Sequence, residues 1–264
     1  MNLSPFVPRR ISPEHAENDL PPLSSVVRVH YPQDQPLISY FLMGFCLLVF
    51  LAQMASETLL GADLPALLGM KISEAIINGQ IWRFFTPVFL HGSLLHLGFN
   101  LYALYVFGPS LEARFGRGRF LVLFLLSGFV GNVISFIFSP SPSLGSSTAI
   151  FGLLGAEMIF FYRNRALLGS DARRLLINVL TVAGINLLIG LSPGIDNWGH
   201  IGGLIGGSLF SWFGGPLLAV EGVYPELNLT DRRHLSTTVL AALGVGGFFL
   251  ALAAVWMILR SGGL

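Results

Sequence analysis

Charge is scarce in this chain: Asp, Glu, Lys and Arg together make up 11% of its 264 residues, against 53% hydrophobic residues. A soluble domain carries about a quarter charged residues, so little of this protein's surface faces water. Cysteine is scarcer still. The single Cys46 lies in an apolar run, which excludes an intrachain disulfide and leaves a small buried or lipid-facing residue. No HExxH pattern is present, so the metal-binding helix it marks is excluded. Residues 1–36 lack the basic-then-apolar layout of a cleavable signal peptide. They are polar and rich in proline (Pro5, Pro8, Pro13, Pro21, Pro22, Pro32, Pro36) and read as a flexible cytoplasmic tail, with targeting left to the first apolar helix.

Long apolar runs are abundant. A helix needs about 20 such residues to cross the hydrocarbon core, and seven segments qualify: 37–55, 93–111, 120–138, 147–162, 175–191, 198–218 and 237–259. The first, third and seventh contain no charge, whereas the others carry His, Asn, Ser and Gly. Polar groups at membrane depth usually face the bundle interior or a wet cavity. The predicted architecture is an all-α polytopic membrane protein. It has the tail 1–36, a six-helix core 37–216, a cytoplasmic linker 217–236 and a seventh transmembrane helix within 237–264.

Lys and Arg bias between alternate loops sets orientation. With the tail inside, the inner segments hold Arg9, Arg10, Arg28, Arg114, Arg117, Arg119, Arg163, Arg165, Arg173, Arg174, Arg232 and Arg233. The outer ones hold only Lys71, Arg83 and Arg260. The N-terminus is therefore expected in the cytoplasm and the C-terminus outside, and the compact tail favours a prokaryotic plasma membrane.

In that orientation spans two, four and six all begin at the outer surface, and each begins with unusual polar residues. Span two opens on His91-Gly-Ser-Leu-Leu-His96 and reaches Asn100; span four opens on Gly145-Ser146-Ser147-Thr148; span six opens on Asp196-Asn197-Trp198-Gly199-His200. Helix capping suits Ser and Asp but leaves His96, Asn100 and His200 unexplained. A nucleophilic hydroxyl needs a base within reach and donors for the developing oxyanion. Ser147 and His200 supply the first pair. His96 and Asn100, four apart, share a helix face and with the Ser147 amide would form an oxyanion hole. Thr148, Gly152 and Ala156 make one small-residue stripe, and Gly203 and Gly207 another. Such stripes let helices approach closely in lipid.

These motifs resemble the rhomboid family of intramembrane serine proteases. Gly145-Ser146-Ser147-Thr148 is similar to its serine motif, Asn197-Trp198-Gly199-His200-Ile201-Gly202-Gly203 to its histidine motif, and His96-Leu-Gly-Phe-Asn100 to its HxxxN. Trp82-Arg83 resembles the WR pair of the long first loop, and Glu112-Ala-Arg114 the ExR motif. The resemblance covers about 82–213. It implies a Ser147–His200 dyad, oxyanion donors at His96, Asn100 and the Ser147 amide, and Phe151 packed on the histidine ring in place of a third acid. Thr148 departs from the family's more usual glycine, which bears on substrate preference. The seventh helix matches the family's six-plus-one arrangement. The implied partners are transmembrane protein substrates within the lipid bilayer; no cofactor, metal or nucleic acid is expected.

Several residues compete for roles. Asp196, four before His200, invites a Ser-His-Asp triad, but reads as a cap or loop residue at a helix start. Glu157 lies roughly 15 Å below Ser147 along the same helix, too far to assist it, and is expected to be paired near the inner side. His91, if helical, would be turned roughly 140° from His96, which argues against a shared metal and places it at the mouth of the site, bonded to loop backbone. His15, His30 and His234 fall in cytoplasmic segments. Trp82 and Arg83 read as structural anchors of the loop 61–90, and Glu112 and Arg114 as an inner-end clasp. Two rival functions remain: a catalytically inactive relative that binds membrane clients, and a transporter. The first would usually have lost Ser or His; the second would show paired repeats with interrupted helices, and none is legible.

Overall fold

The computed structural model describes residues 35–223 and 226–261, so most of the predicted tail lies outside the described residues. Its helices are α1 Leu37–Leu60, α2 Leu64–Gly69, α3 Ser73–Ile77, α4 Leu94–Phe115, α5 Arg117–Phe138, α6 Ser147–Arg163, α7 Arg165–Leu168, α8 Ser170–Ile189, α9 Asn197–Gly214 and α10 Leu235–Ser261. Short 3-10 turns Ile81–Phe84 and Thr86–Phe89 precede α4. Among these, α1, α4, α5, α8 and α10 are long and apolar enough to cross a membrane. The remaining two predicted spans, α6 and α9, are shorter or more polar, and they lie at the centre of the bundle.

Small residues explain why they can lie there. A Cβ on Gly203 would fall 1.9 Å from the Thr148 carbonyl oxygen, and one on Gly207 2.0 Å from that of Gly152. The α6 and α9 backbones are therefore in direct contact along two successive turns. Opposite them, α5 brings Gly131 against the Gly199 carbonyl. The apolar window of α5 is 72% buried, whereas those of α1, α8 and α10 are 28%, 17% and 17% buried. The outer helices thus keep most of their apolar surface for lipid. α10 packs Val245, Phe249 and Ala253 against Phe129, Val133 and Phe136 of α5.

At the end of the bundle where α1 begins, Glu112 accepts from the Ile38 and Ser39 amides at 2.9 and 2.7 Å and from Ser39 Oγ at 2.7 Å. It caps a helix whose own N-cap residue, Pro36, offers no side-chain acceptor. Arg114 bonds Glu157 at 2.7 Å. Glu112 and Arg114 therefore fasten α4 to two different helices, and Arg114 is the partner of Glu157. In the loop before α4, Arg83 donates to the Met70 and Leu67 carbonyls at 2.6 and 2.8 Å, and Trp82 to that of Leu68 at 2.9 Å, closing the end of α2.

The linker 217–236 is more structured than read from sequence: β1 Leu218–Val223 and β2 Glu226–Asp231 pair as a two-stranded sheet. Two compact units are separable. Among the described residues, the helical unit holds 35–219 and 230–261, and the other holds 220–223 and 226–229.

Candidate active site

Three helices start around one spot. Ser93 caps α4, its Oγ accepting from the His96 amide at 3.1 Å; Ser146 is the N-cap of α6; Asp196 caps α9, accepting from the Gly199 amide at 3.0 Å. Ser147 thus occupies the first position of α6, where backbone amides have no intrahelical acceptor and the helix dipole favours negative charge. His200 lies in the first turn of α9, and its Nε2 is 2.9 Å from Ser147 Oγ. The Phe151 ring, one turn past Ser147, stacks on the imidazole with centroids 4.3 Å apart and planes 12° from parallel.

Gly145 brings the serine loop onto α4. Its φ of +130° is open to glycine, and a Cβ there would meet the His96 ring at 2.7 Å and Asn100 Nδ2 at 3.6 Å. His96 and Asn100 therefore flank the strand of chain leading into Ser147. Asn100 Nδ2 is buried and has no hydrogen-bond partner among the described residues. Thr148 packs its methyl against Gly131 and Gly199, and its buried Oγ1 is likewise without a partner there.

Asp196 does not reach the histidine. One carboxylate oxygen caps α9 and the other accepts from Ser135 Oγ, while His200 Nδ1 has no hydrogen-bond partner among the described residues. Ser147 and His200 are thus in contact with no carboxylate bonded to the histidine among the described residues.

His91 departs from the sequence reading. Because α4 begins at Leu94, His91 is not helical and the rotation argument fails; its ring lies edge-on to His96 with centroids 5.3 Å apart. It is buried rather than at a mouth. Its amide donates to Gln53 Oε1 at 3.0 Å, its carbonyl accepts from Gln53 Nε2 at 3.2 Å, and its Nε2 is 3.3 Å from Ser146 Oγ. No group of three His, Cys, Asp or Glu placed to hold a metal occurs among the described residues.

Lys71, read only as an outer-loop charge, is fully buried. Its Nζ donates to the Ser139 and Ser141 carbonyls at 2.9 and 2.6 Å, and its backbone exchanges two bonds with Ser143. Burial pushes its pKa below the usual lysine value, with Asp196 acting in the opposite sense. This clamp ties the α1–α4 loop to the segment that leads into Ser147. The start of α4 agrees with the predicted span from residue 93, since Ser93 before an apolar run is a cap signature. Nothing local marked Lys71.

A family model described as the Rhomboid domain matches residues 78–217. The chain belongs to the rhomboid family. Among its rhomboid relatives, Rhomboid protease GluP of Bacillus subtilis is 35% identical over 223 residues, covering 84% of this chain and 42% of that protein. RHOMBOID-like protein 9, chloroplastic, of Arabidopsis thaliana is 30% identical over 177 residues, 67% of this chain and 41% of that protein. Inactive RHOMBOID-like protein 8 of the same plant is 39% identical over 138 residues, 52% of this chain and 39% of that one. The chain spans less than half the length of these three relatives. As a rhomboid with several membrane-length apolar helices, it is an integral multi-pass membrane protein of an intramembrane protease family.

Proposed function

We propose that this rhomboid is a serine endopeptidase that cuts transmembrane or membrane-adjacent segments of membrane proteins near the outer face of the bilayer. The observation that carries the reading is the 2.9 Å contact between Ser147 Oγ and His200 Nε2, two groups from different helices. Ser147 Oγ attacks the scissile carbonyl carbon while His200 Nε2 takes the hydroxyl proton. The imidazolium returns that proton to the amide nitrogen as the C–N bond breaks. Water then adds to the acyl-serine through the same imidazole, releasing the acid and regenerating Ser147.

The oxyanion falls to the Ser147 amide, Asn100 Nδ2 and His96. The unspent Asn100 donors beside Gly145 support that role, and one such donor is worth about 10²–10³ in kcat. Phe151 holds the imidazole plane in place of a third acid.

Depth supports the substrate class. At 17 residues α6 is about 25 Å long, shorter than the roughly 30 Å hydrocarbon core. With Arg163 anchored at the headgroup level of one face, Ser147 is sunk below the other. A substrate helix must unwind there, because its peptide bonds are otherwise shielded. The arginine bias assigns the Arg163 face to the cytoplasm, which puts the N-terminus inside, the C-terminus outside and the cut near the outer surface. Residues 37–216 form the catalytic core and α10 the appended seventh helix.

The test is cleavage of a model transmembrane substrate by the protein reconstituted in vesicles, comparing the parent with Ser147→Ala and His200→Ala. Cleavage by the parent alone is expected. Equal cleavage by all three overturns the dyad, and capture of uncut substrate by the parent favours the inactive, client-binding alternative.

A further inference from the structure

At the end of the bundle away from Ser147, positive charge gathers beside an apolar groove. Arg163 ends α6, Arg119 lies in the first turn of α5, and Arg233 precedes α10. Arg163 and Arg233 both donate to the Trp212 carbonyl, at 3.0 and 3.4 Å. Arg119 donates to the Arg233 carbonyl at 2.8 Å and pairs with Asp231. The C-terminal end of α9 offsets part of this charge, and a helix-capping role accounts for that part. It does not account for Arg233 Nε, which is buried with no hydrogen-bond partner among the described residues. Desolvation first, and then Arg163, press the Arg233 pKa below the usual guanidinium value; Asp231 opposes this and Arg119 adds to it. In these contacts, among the described residues, three arginines meet one carboxylate, that of Asp231.

Beside Arg233 a groove of about 470 Å³ runs between α9 and α10, lined by Leu209, Phe213, Leu240, Gly244 and Phe248. Leu240 and Phe248 are exposed. Phe248 is thirteen residues into α10, so the groove descends roughly 20 Å from the cationic rim. A soluble anion has no use for such a wall; a molecule with an anionic head and a long apolar tail does. Basic pockets between transmembrane helices at the headgroup level select such lipids.

We propose that this groove binds an anionic phospholipid, its phosphate against Arg233 and Arg163 and one acyl chain along α10. The site lies where the seventh helix joins the core, alongside the Thr238 Oγ1 bond to the Gly214 carbonyl at 2.9 Å, so the lipid completes that joint. The inference is independent of proteolysis.

Its test is lipid retention. The full chain, purified in a neutral detergent, is mixed with phosphatidylglycerol or phosphatidylcholine of matched chains, and bound lipid is counted by native mass spectrometry. The parent is expected to favour phosphatidylglycerol by roughly tenfold, as two arginines at a membrane surface allow. Arg233→Gln should erase that preference, and Arg163→Gln does the same job should the first variant fail to fold. Gly244→Leu should lower retention of both lipids, since a Cβ there meets open space and its side chain fills the groove. Equal retention of the two lipids by the parent overturns the proposal, as does a preference that survives loss of either arginine. Displacement of phosphatidylglycerol by inorganic phosphate, with Gly244→Leu unaffected, marks a bare anion site and also overturns it.

Discussion

Gly203→Ala places a single methyl group between α6 and α9, one turn past His200. The new Cβ would sit 1.9 Å from the Thr148 carbonyl oxygen, about 1.5 Å short of ordinary van der Waals contact. The nearest atoms all belong to the Thr148 backbone and not to a flexible side chain, so the relief must come from the helices moving apart. Overpacking of this kind costs about 1–3 kcal/mol, which leaves the bundle folded. The site suffers more. A rigid shift of that size along the Ser147–His200 line opens their 2.9 Å contact to roughly 4.4 Å, outside hydrogen-bond range. Misplacement by about 1 Å can cost 10²-fold in rate. The assay is the rate at which a fluorophosphonate labels Ser147, read beside the thermal midpoint. Gly247→Ala serves as the control, because a Cβ there meets nothing within 4 Å. We expect labelling to fall about 10²-fold or more in Gly203→Ala, with helix content kept, and to be parent-like in the control. Parent-like labelling of Gly203→Ala would refute the claim that close approach of these two helices sets the dyad distance.

Phe151→Leu removes the ring stacked on His200, an interaction worth about 0.5–1.5 kcal/mol; kcat should fall about 3- to 10-fold with KM little changed, and an unchanged kcat contradicts the positioning role. Asp196→Asn keeps an acceptor for the α9 cap, so cleavage should stay within about tenfold of the parent, whereas a true triad would lose about 10⁴-fold. Arg114→Ala strands Glu157, whose side chain is 8% exposed. A loss of about 2 kcal/mol is expected in detergent unfolding, below the value for a fully buried pair because Arg114 is 25% exposed. Glu157→Gln added to that variant should recover part of it, and no recovery counts against the pairing.

The five helices long and apolar enough to cross a membrane were legible because lipid imposes a single requirement, an apolar run of sufficient length, that sequence states directly. The close approach of α6 and α9 was legible for a related reason: glycine at 203 and 207 is the local mark of a backbone contact. Other features depended on where the chain folds back. Glu157 meets Arg114, and Lys71 meets the 139–143 segment, across long stretches of sequence that no periodicity links. His91 precedes the Ser93 cap, so helical rotation does not govern its ring, which packs edge-on to His96 through the path of the loop. The sheet at 218–231 does carry a two-residue alternation, Leu227 and Leu229 with polar neighbours. The alternation is short and lies between two membrane-length runs, so a search for apolar spans does not register it.

The carboxylate of Glu112 has a bearing on how the chain is assembled. The amino end of the first membrane helix has two amide hydrogens answered by an acceptor made more than seventy residues later. While only the first helix has emerged, those hydrogens must be met by water or headgroups at the bilayer surface. The helix is then free to slide and tilt. Delivery of the fourth helix fixes its vertical position, so the depth of α1 is settled by a later arrival and not by its own hydrophobic length.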